Sequence, residues 1–156
     1  MADINTEKTQ VKTKKTSENF IVAVGRRKEA AAGVRLYDKE VSLGDIKISK
    51  GEIIVNSKKA EEYFGKSMEV SYKEPLRITN TENAFAITVR VRGGGKAGQM
   101  DAMVLGLARA LDKYDRKKYH DLLKQKGFFT RDSRVRQRRK VGMSGKSRRR
   151  KQSPKR

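Results

Sequence analysis

The 156-residue chain contains no cysteine and a single histidine. Without cysteine it forms no disulfide, no thiolate zinc site and no thiol nucleophile. No apolar run approaches the roughly 20 residues that a membrane-spanning helix needs. The first 17 residues contain acids among their lysines and lack both arginine and an apolar core, so we expect neither a secretory signal nor an Arg-rich transit peptide. These absences favour a soluble protein of a reducing compartment.

The side chains that could do chemistry are also sparse. His120 stands alone on a predicted helix, with no second type of metal ligand clustered beside it. Glu61 and Glu62 are adjacent and therefore point apart on a helix, while Asp112 and Asp115 lie beside basic residues that suit surface ion pairs. We therefore expect no enzymatic activity, no cofactor and no metal.

Positive charge is what the chain has in abundance, with a formal net charge of +21. Residues 131–156 hold thirteen Lys or Arg and one acid, so +12 of that charge lies in the last 26 residues. This segment lacks Leu, Ile, Phe and Tyr, and its like charges oppose a helix. If extended at about 3.3 Å per residue it reaches about 80 Å. A fixed conformation requires a polyanion, for which phosphate backbone is the usual candidate.

The apolar residues, 35% of the chain, are concentrated between Phe20 and Phe129, where they suffice for a modest core. We therefore predict three parts. Residues 1–18 form a disordered N-terminal extension, residues 19–130 a globular body, and residues 131–156 a basic extended tail. The body itself remains basic, so a polyanionic partner is expected to contact both body and tail.

Short apolar runs predict the strands of this body. Residues 20–24 suit a strand buried on both faces, and after a turn at residues 25–28 an antiparallel partner follows at 30–37. Residues 46–48 and 53–55 flank Lys50-Gly51 and resemble a small hairpin. Residues 84–92 form the clearest strand, with one face apolar and the other ending in two arginines.

The helices are predicted from capping residues and periodicity. Asn56 or Ser57 can cap a short helix that Gly65 closes, and a second helix over residues 67–72 is expected to stop before Pro75. A long amphipathic helix is predicted from about residue 96 to 113. Another is predicted over residues 116–126. The body is thus a mixed α/β domain.

Residues 93–98 match the pattern G-x-G-x-x-G between a strand and a helix. A dinucleotide site also requires a βαβ unit and an acid on the following strand, which are absent here. A phosphate-binding P-loop is excluded because Gln99, not lysine, follows Gly98. Two interpretations remain open. The glycines can simply permit positive φ and close packing, or they can also let phosphate approach the backbone at a helix start.

Basic residues cluster around this turn in the predicted sheet. Arg26, Arg27 and Lys28 can be a solvated turn, but together with Arg90, Arg92 and Lys96 they can form one basic surface for nucleic-acid phosphate. Composition alone also allows a DNA-compacting protein with a nonspecific arm. Against that alternative, no helix-turn-helix, zinc-finger or leucine-zipper pattern is present.

The order and spacing of several motifs resemble the ribosomal protein S9 family of the small subunit. The matching residues are Gly93-Gly94-Gly95, Gly98-Gln99, Ala102, Gly106 and Ala108-Arg109-Ala110-Leu111, preceded by Gly25-Arg26-Arg27-Lys28-Glu29-Ala30 and followed by Gly127-Phe128-Phe129-Thr130-Arg131-Asp132-Ser133-Arg134 and the final Lys155-Arg156. The resemblance covers about residues 20–156. It implies an α+β fold of the ribosomal S5 domain 2-like type, a two-layer sandwich of mixed sheet and helices with a left-handed crossover and a long extended C-terminal tail.

The resemblance also implies a function. The body would bind 16S-type rRNA beside neighbouring small-subunit proteins, and the tail would reach the anticodon stem-loop of P-site tRNA. The expected location is the cytoplasm, in a ribosome, with a bacterial ribosome favoured over an organellar one. No membrane and no homo-oligomer are expected. The expected rRNA-binding residues are Arg26, Arg27, Lys28, Arg90, Arg92, Gly93, Gly94, Gly95, Lys96, Gln99, Arg131, Arg134, Arg136, Arg138, Arg139, Lys140, Lys146, Arg148, Arg149, Arg150 and Lys151. Lys155 and Arg156 match the terminal residues that contact tRNA, although Pro154 and the lack of a nearby aromatic depart from the common ending.

Overall fold

A five-stranded mixed sheet organises the fold, with strand order β1-β2-β7-β5-β6. The computed structural model describes residues 20–43, 46–139 and 141. In chain order the elements are β1 Phe20–Arg27, β2 Ala30–Tyr37, β3 Val41–Leu43, β4 Ile46–Ile48, β5 Ile53–Val55, β6 Lys58–Lys59, α1 Ala60–Phe64, a 3₁₀ turn at Lys66–Met68, α2 Glu69–Ile78, β7 Ala86–Arg92, α3 Lys96–Tyr114 and α4 Arg116–Gln125. Strand β7 pairs antiparallel with β2 and parallel with β5, which makes the sheet mixed.

Alternation along the strands divides the sheet into two faces. On the inner face, Val34 and Leu36 of β2 and Val89 and Val91 of β7 are buried. Helix α3 covers this face with buried apolar side chains such as Leu107, and α2 and α4 pack on α3. The α+β sandwich expected from the sequence is confirmed, as are the β1–β2 pair, β7 and the long helix α3.

Helix α3 lies unusually close to β1 because two glycines face each other. A Cβ added to Gly25 would lie 1.9 Å from the carbonyl oxygen of Ala102 and 2.5 Å from the amide nitrogen of Gly106. A Cβ added to Gly106 would lie 2.8 Å from a methyl of Val34. The missing side chains therefore allow strand and helix backbones to touch.

The outer face of the sheet is only partly covered. The separate β3–β4 hairpin packs over one end, where Ile48 joins Tyr37, Ile54 and Ala86 in a second apolar cluster. The rest of the outer face is exposed at its edge strand β1, through Phe20, Val22 and Val24, and half-buried at Ala31, Gly33 and Thr88.

Two strand predictions were wrong. Residues 20–24 are not buried on both faces, because β1 is an edge strand covered by α3 on one side alone. Gly25 lies inside β1, and the turn is confined to Lys28 and Glu29. Strands β4 and β5 do not pair around Lys50-Gly51. Instead β4 pairs with β3, and β5 joins β7, since long-range contacts with β7 outweigh the local turn.

Two helix predictions also need correction. Asn56 and Ser57 both have positive φ in the β5–β6 turn, so helix α1 begins only at Ala60, although it ends before Gly65 as predicted. Helix α2 continues through Pro75. Proline inside a helix costs about 3 kcal/mol, but Pro75 and its neighbour Leu76 are buried in the core, and that burial offsets the cost.

Candidate nucleic-acid interface

The basic residues of β1 and β7 meet at one end of the sheet, here called the hairpin end. It comprises Arg26 and Arg92 near the ends of β1 and β7, the Lys28–Glu29 turn, the Gly93–Gly95 turn and the beginning of α3. Arg26 and Arg92 lie in one cross-strand row on the outer face, separated by Ala31 of β2. Both arginines and Lys28 are exposed, as is Arg90 one row further along. The structure therefore brings together the cations that the sequence separates by more than 60 residues.

The glycine turn packs against the turn between β1 and β2. Gly93 and Gly94 have φ of 70° and 62°, and a Cβ on Gly93 would lie 2.5 Å from the carbonyl oxygen of Glu29. These two glycines are thus required by backbone conformation and packing. Gly95 differs, since nothing lies within 4 Å of where its Cβ would be. It caps α3 without a side-chain hydrogen bond, so amide groups of the first turn lack intrahelical partners.

The first turn of α3 is consequently open to anions. Lys96 is exposed there, and the turn contains no acid. The helix dipole and the free N–H groups favour negative charge at this point, and Lys96 adds a mobile cation. Gly93 and Gly94 serve positive φ and packing, as the first interpretation predicts. Gly95 leaves the helix start accessible, and phosphate binding there stays a prediction.

Gln99 holds the glycine turn in place. Its amide nitrogen donates to the carbonyl oxygen of Gly93 at 3.0 Å, and its amide oxygen accepts from the Tyr63 hydroxyl at 2.9 Å. The side chain thereby ties α1 to the turn, with both ends of its amide in use.

Arg27 faces the opposite side of the sheet from Arg26 and is only 13% exposed. Its guanidinium contacts carboxylates of Asp101 at 3.4 Å and Asp132 at 2.8 Å, and it donates to the carbonyl oxygens of Asp132 and Arg134, each at 3.0 Å. Arg27 therefore fastens the beginning of the tail to the body at the hairpin end.

Asp132, the one acid of the tail, completes this junction. Hydrogen bonds from the side chain and the amide of Arg134, with a smaller contribution from the charge of Arg27, hold the pKa of Asp132 well below its usual range. It remains ionised at all physiological pH values. The junction of Arg27, Asp132 and Arg134 is called the tail anchor below.

Beyond the tail anchor, residues 135–139 are exposed. Residues 131–139 form no helix or strand. Arg131, Arg134, Arg136, Arg138 and Arg139 are exposed. Other expected contacts lie outside the described residues, namely Lys140, Lys146, Arg148, Arg149, Arg150, Lys151, Lys155 and Arg156. Residues 1–18 lie outside them as well.

Sequence reasoning missed the role of two cations on α3. Arg109 donates to the carbonyl oxygen of Val24 and Lys113 to that of Val22, each at 2.8 Å. These carbonyls point away from β2 along the free edge of β1, where another strand could otherwise pair. Spacing gave a signal, because residues 109 and 113 lie one helical turn apart on a helix predicted to cover the sheet.

The remaining candidates have structural roles. His120 hydrogen-bonds Asp112 at 2.8 Å and stacks on Phe129 with a 5.1 Å centroid separation, which packs α4 against the segment leading to the tail. Within the described part of the chain, no three His, Cys, Asp or Glu side chains converge as metal ligands. Over the same residues, no helix is both long and apolar enough to cross a membrane.

Comparison with known proteins identifies the family. The model of the family described as Ribosomal protein S9/S16 matches residues 25–156. The chain is also 39% identical over 130 residues to small ribosomal subunit protein uS9 of Maridesulfovibrio salexigens, covering 83% of this chain and 92% of that protein. With its S5 domain 2-like body confirmed, the chain belongs to the ribosomal protein S9/S16 family.

Proposed function

We propose that the chain binds 16S-type rRNA through the hairpin end and the tail, and that Lys155 and Arg156 contact the anticodon stem-loop of P-site tRNA. Family membership makes it a structural, non-enzymatic constituent of the small ribosomal subunit, which binds rRNA beside neighbouring ribosomal proteins in the cytoplasm. The proposed parts are an extension at residues 1–18, a body at 19–130 and a tail at 131–156.

The observation that carries this proposal is the position of the tail anchor. Arg27 holds residues 132–134 at the same end of the sheet that presents Arg26, Lys28 and Arg92. The cations of body and tail therefore lie at one end of the sheet, with Arg26 and Arg92 on its outer face and the tail anchor on its other face. This arrangement suits a folded RNA that presents phosphates to the body and encloses the tail.

Within this arrangement the expected residues have two roles. Arg26, Lys28, Arg92 and Lys96 are exposed and available to phosphate, as are the arginines of residues 131–139. Arg27 and Gln99 act as positioning residues, since their polar groups contact the protein itself. We expect RNA binding to depend on Arg27 through the direction of the tail.

Salt dependence tests the rRNA surface. The double substitution Arg26→Ala with Arg92→Ala removes two proposed phosphate contacts, so the slope of log K against log salt for an rRNA fragment should flatten by about 1.4–1.8. Filter binding across a salt series measures this slope. The matched control is Arg116→Ala with Lys117→Ala, exposed residues at the beginning of α4, beyond the end of α3 that lies away from the hairpin end. Equal slopes for both doubles would refute the hairpin-end contact, and equal affinity for duplex DNA and rRNA would favour a nonspecific arm.

The tRNA contact needs a separate test. Small subunits reconstituted with the Lys155→Gln, Arg156→Gln chain should assemble normally, as measured by sedimentation, and bind tRNA in the P site more weakly. Each lost charge-assisted contact is worth about 1.5–3 kcal/mol. A failure of assembly, or unchanged tRNA affinity in assembled subunits, would contradict this division between the tail end and the rest of the chain.

A further inference from the structure

The uncovered part of the outer sheet face contains a groove that adjoins the hairpin end and shares Arg92 with it. It has a volume of about 580 Å³ and lies between the β3–β4 hairpin and the arginines of β2 and β7. Its lining includes Gly33, Arg35, Thr88, Arg90 and Arg92. This surface is called the outer groove below.

Gly33 forms the floor of the outer groove, and neither its backbone conformation nor its packing requires glycine at this position. Its φ is not in the left-handed region, and a Cβ added there would meet only the carbonyl oxygen of Arg90, at 3.9 Å. Glycine inside a strand weakens that strand and often marks a place where another molecule approaches. Its missing side chain leaves room between Arg35 and Arg90.

Strand β1, which pairs with β2 next to the lining of the outer groove, adds exposed apolar surface beside Arg35. Opposite Gly33 and Arg35, β1 presents Val24 and Val22, and Phe20 follows one row further along. These three side chains are 42–45% exposed. The Arg35 guanidinium lies 5.3 Å from the centroid of the Phe20 ring, which itself packs on Tyr37.

Charge identifies the kind of molecule that this face fits. The residues that line the groove include three arginines and no acid. A duplex presents mainly phosphates and would leave the apolar row of β1 unused, whereas unpaired nucleotides offer both phosphates and flat apolar bases. We propose that the outer groove binds an unpaired segment of RNA, with phosphates at Arg90 and Arg92 and a base stacked beside Arg35 on the row of Phe20, Val22 and Val24.

This inference rests on the proposed rRNA binding, because RNA is the polyanion available, but it concerns the outer sheet face beyond the shared Arg92 and a different form of RNA. Nuclear magnetic resonance of the full-length chain can separate the two. Addition of a single-stranded oligoadenylate 12-mer should shift the methyl signals of Val22 and Val24 upfield by the ring current of a stacked base. Addition of a 12-base-pair RNA duplex should leave them in place. The Val70 methyls, 61% exposed on α2, serve as the internal reference.

Two variants test the groove without changing its charge. Gly33→Val fills the floor with a residue that suits a strand, and Phe20→Ala removes the aromatic surface. Each should weaken oligoadenylate binding roughly 5- to 150-fold at elevated salt, as expected for loss of one stacked base. Val70→Ala, a matched loss of exposed apolar surface, should have no effect. If Gly33→Val fails to fold, as thermal unfolding will show, Phe20→Ala still decides the question.

The outcomes are distinct. Equal methyl shifts with single strand and duplex, or equal affinity of the Phe20→Ala and Val70→Ala chains, would overturn the inference. Methyl shifts with oligoglutamate but not with oligoadenylate would overturn it too and would assign the groove to an acidic protein segment. In each of these cases, shifts at the hairpin end and tail with either RNA would leave the proposed rRNA binding intact.

Discussion

The contact between β1 and α3 predicts that Gly25→Ala is among the most damaging single-methyl additions available to this protein. The added Cβ would lie 1.9 Å from the carbonyl oxygen of Ala102, where real contacts exceed 3.0 Å. This oxygen and the amide nitrogen of Gly106, at 2.5 Å, are backbone atoms, so no change of rotamer relieves the clash. Helix α3 must therefore move away from β1 by about 1 Å. Overpacking of this kind costs typically about 1–3 kcal/mol, and a clash of backbone with backbone lies at the upper end.

The expected loss is therefore about 3 kcal/mol, out of a total stability of about 5–15 kcal/mol for a domain. For a folded body of about 110 residues each kcal/mol corresponds to about 4 °C, so Tm should fall by roughly 12 °C. Thermal unfolding followed by circular dichroism of the full chain measures this.

Two other glycines provide graded controls. In Gly106→Ala the new methyl would lie 2.8 Å from a methyl of Val34 and 3.1 Å from the amide nitrogen of Gly25, and because both contacts are less severe than the 1.9 Å clash at Gly25, a smaller loss is expected. In Gly33→Ala the nearest atom is 3.9 Å away, and the substitution should be neutral or slightly stabilising. The reasoning fails if Gly25→Ala unfolds at the same temperature as Gly33→Ala.

Two further substitutions concern the core and the sheet edge. Burial, aided by nearby carboxylates, raises the pKa of Tyr72 to about 12, above its value of about 10 in the unfolded chain. The free energy of unfolding therefore falls as pH rises from about 10 to 12. Tyr72→Phe should remove this loss of stability at alkaline pH. It should also stabilise the protein by about 1 kcal/mol, because the Tyr72 hydroxyl has no hydrogen-bond partner among the described residues. Alkaline unfolding identical to that of the parent chain would contradict both expectations. Replacing Arg109 and Lys113 by methionine exposes the carbonyl groups of Val22 and Val24 at the free edge of β1, so concentration-dependent self-association should increase in analytical ultracentrifugation. Monomeric behaviour equal to that of the parent chain would show that the two cations do not protect this edge.

Local patterns sufficed for the elements that local interactions define. Strand β7 follows from strict alternation of apolar residues, and α3 follows from a stripe of period 3.6 that begins after a glycine turn. The grouping of Arg26 with Arg92 also followed, once β1 and β7 were placed in one sheet. These predictions depend on side-chain periodicity within a segment, which the chain carries into any fold that buries one face.

Other features depend on partners distant in the sequence. The parallel alignment of β5 with β7 joins residues that lie more than 30 positions apart, and no pattern in three-residue strands encodes it. Pro75 ends a helix by local rules, but the core overrides them. The inward position of Arg27 could have been predicted, because in an alternating strand it faces the same side of the sheet as Ala23 and Gly25. An arginine at an inward position needs acids nearby, and Asp101 and Asp132 supply them.

The tail anchor also has a consequence for how the molecule assembles with RNA. The tail begins at the end of the sheet through which the body would bind RNA. Once the body is bound, binding of the tail becomes an intramolecular step, governed by an effective concentration instead of the bulk concentration. Neither contact then needs high affinity by itself, and a weak body contact that finds the wrong RNA can release before the tail engages. Cutting the link at Arg27 would leave every phosphate contact in the chain but disperse the starting point of the tail. The position of one partly buried guanidinium thereby links the avidity of the whole chain to the geometry of its sheet.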